Sequence, residues 1–553
     1  MVVYSAPNPL LVVYFLGFMK RISIKRLILW LGGGLLSAAV ISVALAACSN
    51  RSLNLTDWSN YFGATLLAGV FLWLGWRMIH KETAPAWLAQ LTLGAFFLRL
   101  ALGAVWFAVL PTAGYGTMAE RNGYIFADAY NRDRTAWRVG SSSLPLTNLL
   151  TVRSYRKVDQ YGGLLFLSSA YYRIFDGASH HPLLMIVLTA SISALAVIFT
   201  WAFTKRAFGI NAAKIAAWGM ALYPEAVLLG SSQMREAFLI PLICLSFYGL
   251  IRLLNEHSWQ SALISLAALI LTWPFSPPAS GLLLASLVVV GLFGGDQTLF
   301  RKKQLWIAVA ATAVLVLAGV WVAWQGYAPQ SKRNVFSVAA WWFKISAGMQ
   351  ARTSILDSGW MQSILESLPA WLHFPFLTLY GVLRPLLPAA LVDISGTAFW
   401  QTIAIWRALG WTVLLAFLIV APIMAFRRIK NEDVQTIRLA RGLTLVVWAG
   451  ILIASMRAGA DLWDNPRYRA MFSGLQIALA AWVWVQYREK HDPWLKHILI
   501  TLGLILIWFI PWYVHRYFPF SWPLAGFFQT VAAGLISVGI YFLIQFLPGK
   551  FRK

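Results

Sequence analysis

Apolar residues run along this chain in long blocks, separated by short stretches that collect Lys, Arg, Gly and Pro. A helix that spans a bilayer needs about 20 mostly apolar residues, because unpaired backbone groups cannot be left in hydrocarbon. On that criterion the sequence predicts about fourteen spans. They lie near 27–48, 61–78, 86–110, 183–203, 210–228, 237–254, 259–273, 279–294, 304–324, 406–426, 441–457, 470–487, 496–514 and 525–547. The stretch 371–391 is apolar but interrupted by Pro375, Arg384, Pro385 and Pro388, which suits an interfacial or re-entrant piece better than a clean span. The predicted fold is therefore an all-α polytopic membrane protein.

Composition agrees with this pattern. Of 553 residues, 59% are hydrophobic and 12% charged, against about 25% charged in a soluble protein; mean hydropathy is +0.66. That excludes a soluble globular enzyme. The 45 Lys and Arg outnumber the 20 Asp and Glu, a balance that would fit nucleic-acid binding if the cations formed a patch. They sit instead between the apolar blocks. With the N-terminus placed in the cytoplasm, 24 Lys and Arg fall in cytoplasmic loops and six (Arg51, Arg235, Arg457, Arg467, Arg469, Arg516) in short outer loops. The bias predicts both termini inside, facing anionic lipid, and no nucleic-acid partner.

Cys48 and Cys244 each sit in an apolar stretch, so no disulfide framework or CxxC metal site is built. Leu45-Ala46-Ala47-Cys48 follows a basic n-region and looks like a lipoprotein cleavage box, but the run is longer than a signal h-region and reads better as an uncleaved first helix. Met19 is an alternative start to Met1.

This topology leaves two large outer segments, 111–181 and 325–405, as the expected seats of chemistry. Thirteen of the twenty acidic residues fall on the outer side. A carboxylate near hydrocarbon is costly and is retained most easily where it works or is paired. The first outer segment reads Gly123-Tyr-Ile-Phe-Ala-Asp128-Ala-Tyr130-Asn-Arg-Asp133-Arg-Thr-Ala136-Trp137, shortly after a span that contains Arg99.

This arrangement resembles the integral-membrane glycosyltransferases of the C fold (GT-C), the group of protein mannosyltransferases and the lipid A aminoarabinose transferase. Asp128, Tyr130 and Ala136 match that family's outer-loop pattern, with Asp133 as a second candidate. Three further stretches are similar to the family. Asp159-Gln-Tyr161 through Tyr171-Tyr-Arg173-Ile-Phe175 resembles its interfacial helix, and Pro224-Glu225 with Ser232-Gln-Met-Arg235-Glu236 resembles a short outer turn. Asp464-Asn-Pro-Arg467-Tyr-Arg469 resembles the late element that faces the lipid-carrier phosphate. The likeness spans roughly 86–490, so 1–85 would be two added helices and 491–553 a C-terminal helical pair. Trp273-Pro274 departs from the Arg-Pro often found in relatives, which removes a phosphate contact there.

The resemblance implies a transferase that takes a sugar from a polyprenyl-phosphate donor and gives it to a lipid, glycan or protein acceptor on the extracytoplasmic face. Residue chemistry points the same way. Such a transfer needs a base near the acceptor proton and cations near the leaving phosphate. Asp128 is the candidate base, with Asp133 second. Arg467, Arg469 and Arg235 are candidates for the phosphate, since guanidinium matches its oxygens bidentately. Glu225, Glu236, Tyr130, Asp159 and Tyr161 would position the acceptor or hold structure. A base on one face and a departing phosphate on the other gives in-line displacement and inversion.

Each candidate also has a structural alternative. Asp128 and Asp133, interleaved with Arg132 and Arg134, fit a solvated helix with ion pairs; Arg235-Glu236 fits a helix cap; Arg467 and Arg469 fit snorkelling; Arg99 fits a buried partner for one of the carboxylates. The 29 Trp fit belt anchoring more than sugar stacking. His180-His181 and His515 lie outside, yet no HExxH or clustered His and acid set is present. No cofactor is expected, and a divalent metal is compatible with the acidic outer motifs but not indicated. No GxGxxG or Walker loop opens a cytoplasmic helix, so a nucleotide donor is not expected. A lipid-linked oligosaccharide ligase or polymerase, which relies mainly on the late loop, and a transporter are the alternative readings.

Overall fold

The computed structural model describes residues 24–50, 55–175, 179–295, 310, 314, 359–392, 396–427, 433–458, 466–524 and 526–546. Thirteen of the fourteen predicted spans fall on helices there; the remaining one, 304–324, lies outside the described residues but for positions 310 and 314, as do 325–358 of the second outer segment. Among the described residues eight helices are long and apolar enough to cross a membrane: Ala86–Ala113, Pro182–Leu222, Glu236–Glu256, Pro277–Gly294, Ala398–Phe426, Val434–Met456, Trp494–Tyr517 and Phe527–Gln545. The chain is thus a polytopic helical membrane protein, with no strand among the described residues.

Two predicted spans, 183–203 and 210–228, meet in the 41-residue Pro182–Leu222 element. The backbone leaves the helix at Gly209 (φ 86°, ψ 174°), a conformation open to a residue without Cβ. The second half stops at Leu222 instead of 228, because Pro224 disfavours a helical Tyr223 and opens the short Pro224–Gly230 helix. The interrupted stretch 371–391 folds as Ala370–Leu383 and Leu387–Val392. At 14 residues the first piece is about 21 Å long, short of the ~30 Å hydrocarbon core.

Pro182–Leu222 is the packing centre. It is flanked by Leu55–Met78, Ala86–Ala113, Glu236–Glu256 and Ser473–Lys490, and its Thr189-Ala-Ser-Ile-Ser-Ala-Leu-Ala196 run is buried at nearly every position. Small side chains let backbones approach closely, which is how helices gain contact where lipid supplies no hydrophobic drive. Gly474 serves the same close approach: a Cβ there would run into Cys244 Sγ and Thr200 Oγ1. The Trp494–Tyr517 and Phe527–Phe546 pair packs at the edge, with only 17% and 11% of its apolar windows buried, so most of its side chains face outward.

The bundle gathers polar residues at two ends. At one, Asp57 meets His181 at 3.0 Å, Glu120 accepts from Trp400 Nε1 at 2.8 Å and Asp128 meets Arg467 at 3.0 Å. At the other, Arg206 bridges Glu82 and Glu256, both at 2.6 Å, and Arg427 meets Asp492 at 2.7 Å. Each of these contacts joins loops that the sequence assigns to the same side. At the Asp128 end, the start of Gly163–Phe175 lies against the Pro274 turn: a Cβ on Gly163 would stand 2.0 Å from the Pro274 carbonyl oxygen. Backbone cannot yield there, so Gly163→Ala is expected to cost about 1–3 kcal/mol, read as a lower thermal midpoint of the protein in detergent; an unchanged midpoint would contradict this packing.

Candidate active site

The site is built on Ala127–Gly140, a helix that starts after the extended Phe126 and carries Asp128 in its first turn, where a carboxylate suits the helix dipole. One face, with Ala129, Arg132, Asp133 and Ala136, is buried. Asp128 stands at the rim. Its side chain is 53% exposed and meets the 7%-exposed Arg467 guanidinium at 3.0 Å. Arg467 lies 339 residues later, in the short Arg467–Ala470 helix, and its guanidinium also lies 5.1 Å from the Tyr468 ring centre and 5.9 Å from that of Phe126. The late loop and the first outer segment therefore meet at the two residues singled out for base and phosphate chemistry.

Asp133 points elsewhere. Five residues along a helix turn it about 140° from Asp128, and it is 1% exposed. Its oxygens accept from the Tyr124 hydroxyl, from Tyr172 Oη at 2.6 Å and from His180 Nε2 at 2.8 Å. The His180 ring stacks on Trp137 at 5.1 Å. Burial and the Asp133 carboxylate hold the Tyr124 hydroxyl well above the usual phenol range, so it stays a donor. With these donors occupying both oxygens, Asp133 ties the Gly123 turn, the Gly163–Phe175 helix and the His180 approach to one helix.

Arg132 and Asp133 are not on a solvated face, contrary to the structural alternative. Arg132 is 5% exposed and donates from Nη1 to the Gln233 carbonyl at 3.1 Å. Burial lowers its pKa, opposed first by Asp159, with Asp128 and Glu236 also favouring its charge and Arg235 disfavouring it. Asp159 accepts from the Leu165 amide at 2.9 Å, which caps the start of Gly163–Phe175. Arg235 lies 5.4 Å from the Tyr161 ring centre and 3.8 Å from Glu236. Arg132, Asp159, Tyr161, Arg235 and Glu236 thus form one polar neighbourhood that reaches the Asp128 carboxylate.

The other candidates lie in a second cluster or serve the scaffold. Glu225 is held by Arg407 through two 2.8 Å bonds, both side chains being buried. Arg469 is buried, stacked 3.4 Å from the Trp411 ring centre, and donates to the Gly381 and Arg384 carbonyls, so it pins the end of Ala370–Leu383. Tyr130 accepts from Arg134 at 3.1 Å on the exposed side. Among the described residues Arg99 meets no carboxylate: it donates to Ser193 Oγ at 3.1 Å, to its own helix at Ala95, and to the Met220 and Ala221 carbonyls that end the central helix. A cation there satisfies C-terminal carbonyls.

Tyr124, Tyr172 and Arg407 escaped the sequence reading. The first two look like ordinary apolar-face aromatics, and Arg407 lies inside an apolar block with nothing local to mark Glu225 as its partner. Among the described residues no group of three or more His, Cys, Asp or Glu is placed to hold a metal. Asp464, Asn465 and Asp461 lie outside the described residues.

No family model matches the sequence, and no curated protein matches it. Among solved structures, the oligosaccharyltransferase AglB from Archaeoglobus fulgidus, in complex with an inhibitory peptide and a dolichol-phosphate, aligns over 82% of this chain and 55% of its own, at 14% identity and a TM-score of 0.37. The apo form of the Archaeoglobus fulgidus enzyme gives 83% and 59% coverage, 12% identity and 0.36. ArnT from Cupriavidus metallidurans, bound to undecaprenyl phosphate, gives 80% and 85%, 13% and 0.31. The chain spans between half and three-fifths of the length of the first two. Likeness at these scores assigns neither a fold family nor an activity.

Removing one partner of a buried ion pair strands the other. Arg407→Met is expected to destabilise the protein by about 3–5 kcal/mol, measured as loss of the monodisperse species on heating in detergent. The Glu225→Met, Arg407→Met double variant should recover most of the loss. A single variant as stable as the parent would contradict the pairing.

Proposed function

We propose that this protein is a membrane glycosyltransferase that moves a sugar from a polyprenyl-phosphate donor to an acceptor at the extracytoplasmic face, with inversion. The observation that carries the reading is the Asp128–Arg467 contact, which joins an exposed carboxylate to a buried, aromatic-flanked guanidinium across 339 residues. The four stretches that resemble GT-C enzymes supply its chemical context, and two of them meet at this contact.

The pairing gives a sequence of events. With no donor bound, Arg467 neutralises Asp128 through a 3.0 Å contact. A phosphate diester offers the guanidinium a better partner than one carboxylate oxygen, because its two free oxygens match the fork. Donor binding therefore draws Arg467 onto the phosphate and releases Asp128. Acceptor oxygen then attacks the anomeric carbon as the carbon–oxygen bond to phosphate breaks; the acceptor proton passes to Asp128, and polyprenyl phosphate leaves with its added negative charge against Arg467. Arg235, beside the Tyr161 ring, adds positive potential behind it.

Asp128→Asn should lower transfer by about 10²–10⁴-fold while the protein still binds donor. Arg467→Ala should weaken binding of the lipid phosphate by about 10- to 100-fold. Asp133→Asn should act on thermal stability instead. Purified protein incubated with radiolabelled polyprenyl-phosphate sugars, scored for binding and for released lipid phosphate, separates these effects. Undiminished transfer by Asp128→Asn removes the proposed base.

A further inference from the structure

The polar neighbourhood of Asp128 holds two buried groups of opposite charge whose hydrogen-bonding capacity is incompletely used. Arg132 is 5% exposed and Glu236 4%. Among the described residues, Arg132 Nε and Glu236 Oε2 each have no hydrogen-bond partner. Leaving such atoms dry costs about 1–3 kcal/mol apiece, more when charged. The two are held close to each other through one segment: Arg132 Nη1 bonds the Gln233 carbonyl at 3.1 Å, and Glu236 follows three residues on, opening the next helix. Their charges act on one another, together with those of Asp159 and Asp128.

An unused N–H donor and an unused carboxylate acceptor in one neighbourhood are together the complement of a hydroxyl, which accepts with its oxygen and donates with its proton. We infer that Arg132 and Glu236 form the subsite that receives a hydroxyl of the sugar being transferred, with Asp159 lining the same neighbourhood and the Asp128–Arg467 pair at its mouth. This rests on the donor reading above and adds which part of the donor is read, and by which residues. The burial pattern fits a glycosyl phosphate: phosphate on Arg467 beside the exposed Asp128, sugar toward the buried Arg132 and Glu236, acceptor approaching past Asp128.

Two conservative variants test it. Glu236→Gln removes the charge at nearly constant shape, and Arg132→Lys keeps the charge but loses the Nε donor. The probes are undecaprenyl phosphate and a panel of undecaprenyl-phosphate hexoses and pentoses, with deoxy forms of whichever sugar binds best. The parent protein should prefer its sugar-bearing lipid over bare undecaprenyl phosphate. In each variant that preference should shrink by about 10- to 100-fold, the range expected for hydrogen bonds to charged groups, while affinity for bare undecaprenyl phosphate stays unchanged and so reports an intact fold. A deoxy sugar lacking the recognised hydroxyl should bind parent and variants alike. If both variants keep the parent's preference, the subsite is wrong and the donor reading stands. If the parent binds none of these lipids, the donor reading falls and the subsite with it.

Discussion

Charge near hydrocarbon is expensive unless it is paired, and this constraint organises the molecule from the central helix outward. Arg99 is inside the bundle and is held by carbonyls at the end of Pro182–Leu222. Glu225 and Arg407 satisfy one another with two bonds between segments far apart in sequence. Glu82 accepts from Arg206 and Tyr248 at the opposite end. Each of these ties fixes the relative placement of helices whose apolar faces alone would slide, since lipid competes with every apolar contact.

Against that background the Asp128–Arg467 pair contrasts with the Glu225–Arg407 pair. The latter is buried on both sides, whereas Asp128 is half-exposed and its partner is sunk among aromatic rings. A buried cation with an exposed counter-ion is a pair that a stronger anion can open. Asp133, five residues along the same helix, has the opposite character: three donors and almost no exposure. One helix thus carries a fixed carboxylate that positions it and a free-facing carboxylate at its tip.

Much of the architecture was legible because hydrophobic block length is a direct consequence of bilayer thickness. The end of the 210–228 block was misplaced by about a turn and a half, since hydropathy does not register the effect of Pro224 on its predecessor. The site was legible in part. Asp128 and Arg467 stood out as charges beside spans, and their meeting follows from topology. What the sequence did not disclose were partners chosen by tertiary packing: Arg407 for Glu225, the Tyr124 and Tyr172 hydroxyls for Asp133, carbonyls instead of a carboxylate for Arg99, and the Gly381 and Arg384 carbonyls for Arg469. Hydrogen-bond partners of a buried Arg depend on which helix end comes to rest beside it, and no local pattern encodes that.

The most direct test of the account is to locate the lipid. An undecaprenyl phosphate carrying a diazirine in its first isoprene unit, photolysed on the purified protein and mapped by peptide mass spectrometry, should label residues 123–137 and 466–472, with labelling competed by undecaprenyl phosphate and lost in Arg467→Ala. Label confined to the opposite end, around residues 80–83, 252–256 and 427–433, would contradict it.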